Sequence, residues 1–334
     1  MQEKQNKKNI GVIGGGSWAT AIVKMLCENV NSINWWMRNE DSISHIETYG
    51  HNPNYISDAE LKKEKLNISS NINSVIENSD LIVLAVPSAF LKSTLNNLNV
   101  SLKEKIIVSA IKGIVPENNT IVGEFIHNQY DVPYKNIGVL TGPCHAEEVA
   151  LERLSYLTVA CSDVKKAEFF ANSISGRYIK TTVSDDIYGT EYASVLKNVV
   201  ALSSGICHGL GYGDNFQAVL ISNAIREIKR FVDKVHPINR DIKESAYLGD
   251  LLVTAYSQFS RNRTFGEMIG RGYGVNSAQL QLKMIAEGYY AVKCISEINQ
   301  KLKVSMPIIQ AVYNILYEKK SVQKEISDLT GKLN

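Results

Sequence analysis

The feature that most restricts the fold lies near the start of the chain. A short apolar run, Asn9–Ile13, ends on Gly14-Gly15-Gly16, and from Ser17 to about Asn29 the residues Ala21, Ile22, Met25 and Leu26 recur at three- and four-residue spacing. That order reads as strand, tight turn and helix. The stretch Gly14-Gly15-Gly16-Ser17-Trp18-Ala19 fits G-x-G-x-x-G/A. Gly14 permits the turn, Gly16 lets backbone approach a pyrophosphate, and Ala19 is small enough for close helix–strand packing. A helix opening near Ser17 then aims its free N–H groups and positive dipole end at phosphate. A strand before and a helix after separate this pattern from a plain glycine turn, so Gly14 and Gly16 are expected to hold a dinucleotide.

Further strands are predicted at Ile33–Met37, Leu66–Ile68, Leu81–Val86, Ile106–Ser109 and Ile137–Leu140, with helical stretches between most of them and a loop over Tyr49–Ser57. These runs are continuously apolar rather than alternating, which implies burial on both faces and a mostly parallel sheet covered by helices. A strand–helix–strand passage runs from about Leu157 to Thr182, and after Ser184 only long helical patterns remain. The prediction is an α/β, Rossmann-type doubly wound domain over 8–185 and an all-helical substrate domain over 186–330. A chain of 334 residues suits two domains, and 44% hydrophobic residues allow each a core. There is no internal repeat and no low-complexity segment.

The formal net charge of +2 demands neither nucleic acid nor an anionic membrane as partner. The five cysteines are widely spaced, odd in number and without C-x-x-C, which argues against a disulfide scaffold or zinc ribbon and for a reducing compartment. Residues 1–7 read as a disordered polar lead, and the N-terminus has no apolar signal region. The run Leu81–Val86 is far short of the roughly 20 residues that span a bilayer. A cytoplasmic protein with no integral membrane association is expected.

The end of the second predicted strand bears on the choice of cofactor. An acidic residue there would bond a ribose 2′-OH. The chain has Trp36-Met37-Arg38-Asn39 instead, followed by Glu40 and Asp41. Arg38 suits a 2′-phosphate or stacking on adenine. The choice between NADP(H) and NAD(H) stays open, leaning towards NADPH with NADH tolerated.

Three later segments place polar groups in apolar surroundings. Ala193–Leu202 reads as a core helix with Lys197 at its centre. Burial disfavours the ammonium and tunes a lysine for proton transfer beside a carbonyl; a lysine snorkelling to the surface is the alternative. Asp250, at a predicted helix start, either caps that helix or orients Lys197, and Thr254 shares its face. Ser257–Gly266 carries Ser260, Arg261, Asn262 and Arg263, a set suited to an oxyanion, or else a solvated basic loop. Lys112-Gly113 and Thr141-Gly142-Pro143-Cys144 follow strands, so both loops are expected to line the ligand crevice. Cys144 is read as lining rather than nucleophile, because no second element supports thiol chemistry. No histidine–carboxylate cluster suggests a metal.

Together these residues resemble the soluble NAD(P)-dependent glycerol-3-phosphate dehydrogenases. The resemblance runs from about Asn9 to Glu318. It rests on the glycine segment through Thr20, Val86-Pro87-Ser88, Lys112-Gly113-Ile114, Gly142-Pro143 and Leu196–Ala201. It continues through Gly209–Asn215, Leu248–Leu251, Ser260–Gly266, Glu287-Gly288 and Met306-Pro307-Ile308. It implies that Lys197 passes the proton, with Asp250 and Lys112 in the catalytic group. It implies cofactor contacts at Gly14, Gly16, Ser17, Trp18, Arg38, Lys112, Ala146, Arg261, Ile285 and Glu287. Substrate contacts are implied at Lys112, Gly142, Cys144, Lys197, Asn198, Asp250, Thr254, Ser260, Arg261 and Asn262. The implied reaction is hydride transfer from NAD(P)H to C2 of dihydroxyacetone phosphate, giving sn-glycerol 3-phosphate for glycerophospholipid synthesis, in a homodimer.

The chain departs from the family pattern at several points. Ala19 stands for the usual Gly, Cys144-His145 for Ser-Phe, and His208 for Asp, while Glu152-Arg153-Leu154-Ser155 lacks Gly-x-Pro-Thr. A thiol bonds a substrate less well than a hydroxyl. Two other functions fit parts of the pattern. A related hydroxyacid or polyol dehydrogenase would not need the Ser260–Arg263 cluster, and a redox-sensing NADPH-binding protein would not need Lys197 beside Asp250.

Overall fold

The computed structural model describes residues 8–282 and 286–334, so the predicted polar lead and Ile285 lie outside the described residues. The strands are β1 (Ile10–Ile13), β2 (Ile33–Trp36), β3 (Leu66–Ser69), β4 (Leu81–Leu84), β5 (Ile106–Ser109), β6 (Ile114–Val115), β7 (Thr120–Ile121), β8 (Ile137–Thr141), β9 (Ser155–Cys161) and β10 (Ile179–Ser184). The helices of the first half are α1 (Ser17–Asn29), α2 (Glu40–Tyr49), α3 (Ile72–Glu77), α4 (Ser88–Leu95), α5 (Val122–Tyr130), α6 (Ala146–Ala150) and α7 (Val164–Ile174). The second half has α8 (Ile187–Gly209), α9 (Asp214–Val235), α10 (Asp250–Tyr256), α11 (Arg261–Gly270), α12 (Val275–Gln281), α13 (Glu287–Leu302), α14 (Pro307–Leu316) and α15 (Val322–Thr330).

The main sheet has the order β10-β9-β8-β5-β4-β1-β2-β3. The chain winds outward from β1 to β3, then re-enters at β4 on the other side of β1. That reversal opens a crevice at the carboxyl ends of β1 and β4, the place where doubly wound sheets bind ligands. Every neighbouring pair is parallel except β8–β9, which is antiparallel with Gly138 opposite Cys161. The predicted strand–helix–strand passage is therefore present as β9-α7-β10, extending the sheet beyond a strand reversal. The short hairpin β6–β7 was not predicted, because two-residue strands carry no readable periodicity.

The central strands β1, β4, β5 and β8 are buried along their whole length, and the edges β3 and β10 are not. Alternate side chains serve opposite faces. Val12, Leu81, Val83, Ile106 and Val108 join one core cluster with Trp35 and Phe170. Ile13, Ile82, Leu84 and Ile107 join another with Phe125. A further core lies among the helices of the second half, around Leu196, Phe231 and Phe265. Among the described residues no helix is long and apolar enough to cross a membrane.

Gly14 makes the turn after β1. Its φ is +136°, and a Cβ there would strike the Ala85 carbonyl. Gly14 N donates to Trp36 O at 3.1 Å and Ala85 N to Ile13 O at 2.9 Å, so the turn is clamped between two neighbouring strand ends. Helix α1 begins three residues later with Gly16 as its N-cap and no capping side chain.

Helix α8 is the spine of the second half and is buried on nearly every side. Its start is anchored by Asp186, which accepts from Gly189 N at 2.9 Å, Arg240 Nε at 2.8 Å and Tyr247 Oη at 2.6 Å. Further along, α8 crosses α11 backbone against backbone. A Cβ on Gly205 would collide with Arg263 O, on Gly209 with Glu267 O, on Gly266 with Leu202 O, and on Gly270 with Ile206 O. Glycine at four-residue spacing on both helices lets the axes approach this closely, and the approach sets the start of α11 beside Asn198.

Candidate active site

Lys197 leaves the middle of α8 and is only 3% exposed. Surface snorkelling is thereby ruled out: its Nζ makes an ion pair with Asp250 Oδ1 inside the protein. The other carboxylate oxygen of Asp250 accepts from Thr141 Oγ1 at 3.2 Å. Thr141 is the last residue of β8, so the helical half and the crevice end of the sheet meet at this carboxylate. Asp250 does not cap a helix. It is the first residue of α10, following a π-helical turn over Ser245–Gly249 and with Gly249 in the cap position. Thr254 Oγ1 donates to the Asp250 carbonyl at 2.7 Å, which fixes that turn without touching the carboxylate.

Burial is the chief cause that pushes the Lys197 pKa down, to about 7. Asp250 opposes the shift and the Lys112 ammonium nearby adds to it. The result is an amine that gains and loses its proton near neutrality, as a proton-transfer group requires. Lys112 Nζ lies 4.9 Å from the centroid of the Trp18 ring, a cation–π contact that ties the loop after β5 to the start of α1.

A chain of amides locks the surrounding elements. Asn198 Nδ2 donates to Lys112 O at 2.7 Å, Asn262 Nδ2 donates to Asn198 Oδ1 at 3.0 Å, and Gly288 N donates to Asn262 Oδ1 at 2.9 Å. Glu287 then accepts from Ser88 N at 2.9 Å and Ser88 Oγ at 2.5 Å. Burial pushes the Glu287 carboxyl up, against the pull of Ser88 and Arg261. Asn198 and Asn262, expected as substrate contacts, are thus the clamp that joins α8 and α11 to the Lys112 loop. Ser260 caps α11, its Oγ accepting from Arg263 N at 3.3 Å. Arg261 opens that helix within electrostatic reach of Glu287.

Several of the expected cofactor contacts lie near the glycine turn. A Cβ on Gly16 would meet nothing within 4 Å, although its backbone would accept any residue. Glycine here leaves open space directly over the N-terminus of α1, a cradle that fits a pyrophosphate. Trp18 Nε1 is buried with no hydrogen-bond partner among the described residues. Ser17 is the first residue of α1, and the buried Ala146 is the first of α6. Arg38 is exposed beyond β2, while Glu40 turns to Ser70 Oγ at 2.9 Å. At Gly142 the Tyr156 carbonyl occupies the place a side chain would take. The Cys144 thiol is buried beside the Ser155 hydroxyl, and burial pushes it up to about 11, so it is no thiolate nucleophile.

Sequence reasoning missed three partners: Thr141 to Asp250, Ser88 to Glu287, and the Asn198–Asn262 clamp. Only their positions after strands β4 and β8 or within motifs hinted at them. Pairings across 109 and 199 positions leave no local trace.

The family model for the N-terminus of NAD-dependent glycerol-3-phosphate dehydrogenase matches residues 9–167, and that for the C-terminus matches residues 186–327. A glycerol-3-phosphate dehydrogenase [NAD(P)+] of Exiguobacterium sp. is 35% identical, over 96% of this chain and 94% of its own length. One from Macrococcus caseolyticus is 33% identical, over 97% and 98%. The crystal structure of glycerol-3-phosphate dehydrogenase from Coxiella burnetii superposes with a TM-score of 0.88 at 26% identity, covering 97% of this chain and 99% of that one.

Proposed function

This chain belongs to the NAD-dependent glycerol-3-phosphate dehydrogenase family, and from that premise we propose how its residues carry the reaction. It is an NAD(P)-dependent oxidoreductase that interconverts dihydroxyacetone phosphate and sn-glycerol 3-phosphate, a precursor of glycerophospholipids. The observation that carries the assignment of roles is the buried Lys197–Asp250 pair at the carboxyl end of β8.

Bound NAD(P)H supplies the hydride. The glycine turn and the first N–H groups of α1 would hold its pyrophosphate, with Ser17, Trp18, Ala146 and Glu287 completing the seat. Lys197 gives its proton to the ketone oxygen of the substrate as that oxygen becomes an alkoxide, and takes it back in the reverse direction. Asp250 holds the ammonium in place and is itself held by Thr141. Arg261 binds the substrate phosphate through its planar fork, so binding energy remote from the reacting carbon fixes the geometry there. Lys112 adds positive charge on the side of the ketone. Arg38 beyond β2 and the engagement of Glu40 with Ser70 support a preference for NADPH with NADH tolerated. The same reading takes 8–185 as the cofactor domain and 186–330 as the substrate domain, supported by core clusters drawn almost wholly from one half each, with Ile114 and Ile121 packing into the helical one. It also takes the protein as a cytoplasmic homodimer; the cytoplasm is supported by five buried cysteines that form no disulfide.

The direct test follows NADH or NADPH absorbance on adding dihydroxyacetone phosphate or dihydroxyacetone. Rapid oxidation with the phosphorylated ketone alone is expected. Equal rates with both ketones would return the site to a general polyol dehydrogenase. Arg261→Ala should raise KM for the phosphorylated ketone about 10–100-fold, the scale of a charged hydrogen bond, and bring the two ketones together. An unchanged ratio between them would take Arg261 off the phosphate.

The pH dependence has a defined sign. Ketone reduction needs the Lys197 ammonium, so its kcat/KM should fall about tenfold per pH unit above a pKa near 7. Alcohol oxidation needs the neutral amine, so its kcat/KM should rise with pH and level off above the same value. Profiles that move in the same direction would remove Lys197 from the proton step.

A further inference from the structure

His145 holds a buried polar atom that has no hydrogen-bond partner among the described residues. It is the N-cap residue of α6, directly after Cys144 on the loop that leaves β8. The atom is its Nε2. Buried polar atoms in folded proteins are almost always paired, and an orphan calls for a reason. The ring is set against Phe259, with centroids 6.2 Å apart. Burial first, then the positive charges of Lys112 and Lys197, hold its pKa down at about 4, against the pull of Asp250 and the Val253 carbonyl. The imidazole is therefore neutral at working pH, one ring nitrogen carrying the proton and the other a lone pair.

The substrate has three polar parts. The ketone oxygen is assigned to Lys197 and the phosphate to Arg261, which leaves the primary hydroxyl on the carbon next to the ketone. Its partner must border Lys197. The Cys144 thiol is a weak hydrogen-bonding group turned to Ser155. The next residue carries a buried unpaired nitrogen, His145 Nε2, within electrostatic reach of Lys112, Lys197 and Asp250.

We propose that His145 is a substrate-binding and specificity-determining residue of this chain, its Nε2 pairing with the primary hydroxyl of dihydroxyacetone phosphate. This deepens the functional reading above and rests on it. A site built to bond a hydroxyl rejects the analogue that lacks it, because the buried group is then left unpaired.

The experiment measures kcat/KM of the full-length protein on dihydroxyacetone phosphate and on acetol phosphate, the ketone with hydrogen in place of that hydroxyl, at saturating NADPH. H145F keeps a ring against Phe259 and removes the nitrogen. It should lose about 10–100-fold on dihydroxyacetone phosphate and change by less than about threefold on acetol phosphate, with KM for NADPH unmoved. H145A, which removes the ring altogether, should collapse the same ratio and is read if H145F does not fold. Equal losses on the two ketones would show a packing role and overturn the assignment. So would a loss confined to KM for NADPH, or no loss at all. A wild-type protein inert towards both ketones overturns the functional reading itself, and the His145 assignment with it.

Discussion

Replacing Lys197 with Ala should lower turnover about 10²–10⁴-fold, the usual scale for removing a general acid–base group. NADPH affinity should change little, because the glycine turn and the start of α1 are untouched. The reason for so large an effect is environmental. The ammonium is enclosed, and its attraction to Asp250 is opposed by burial and by Lys112. Removing the lysine also leaves Asp250 as a buried charge held by the Thr141 hydroxyl without its ammonium, so some loss of stability should accompany the loss of rate. Lys197→Ala/Asp250→Asn, which removes both charges, should recover stability but not turnover. Stopped-flow turnover, NADPH titration and a urea melt separate these outcomes. A single variant within tenfold of wild-type turnover would take Lys197 out of the chemistry.

Gly266→Leu should be the most damaging small change outside the site. At this glycine α11 passes Leu202 of α8 with no room for a Cβ. A leucine must push the helices apart, and forced overpacking of a tight core costs about 1–3 kcal/mol or more. The crossing also sets the Asn198–Asn262 hydrogen bond at 3.0 Å, so a shift there disconnects the Lys112 loop from α11. Loss of both stability and activity is expected, in contrast to Lys197→Ala, where rate falls far more than stability. Gly176→Ala serves as control, since a Cβ there meets nothing within 4 Å and φ is not positive; its stability should stay within about 0.5 kcal/mol. A Gly266→Leu protein that melts and turns over like wild type would mean the two helices can separate freely.

Much of the site was readable before any coordinates. Glycine turn, helix start and strand runs are local patterns, and Gly14 and Gly16 sit where that pattern placed them. Lys197 was legible for a different reason: a lysine within an unbroken apolar run signals a charge that is either buried or snorkelling. Only the packing of α8 on all sides resolved that choice. Asp250 shows the opposite limit. Its place before an apolar helical run suggested a cap, and the capping geometry is absent because a π-turn precedes it and the carboxylate is drawn to Lys197. Asn262 and Ser260 sit in the predicted cluster, yet the Asn262 side chain joins α11 to α8 and the Ser260 hydroxyl caps the start of α11.

Chain order and residue type alone were enough for the alternation of strands and helices, the turn at the end of the first strand and the choice of Lys197 as a candidate. These depend on interactions between near neighbours, whose spacing is written directly in the chain. The partners of that lysine, the amide clamp, the glycine crossing of α8 and α11 and the orphaned nitrogen of His145 came from the three-dimensional arrangement. They join positions far apart along the backbone, and which distant groups meet is decided by how whole helices and strands pack, a property that no local period encodes.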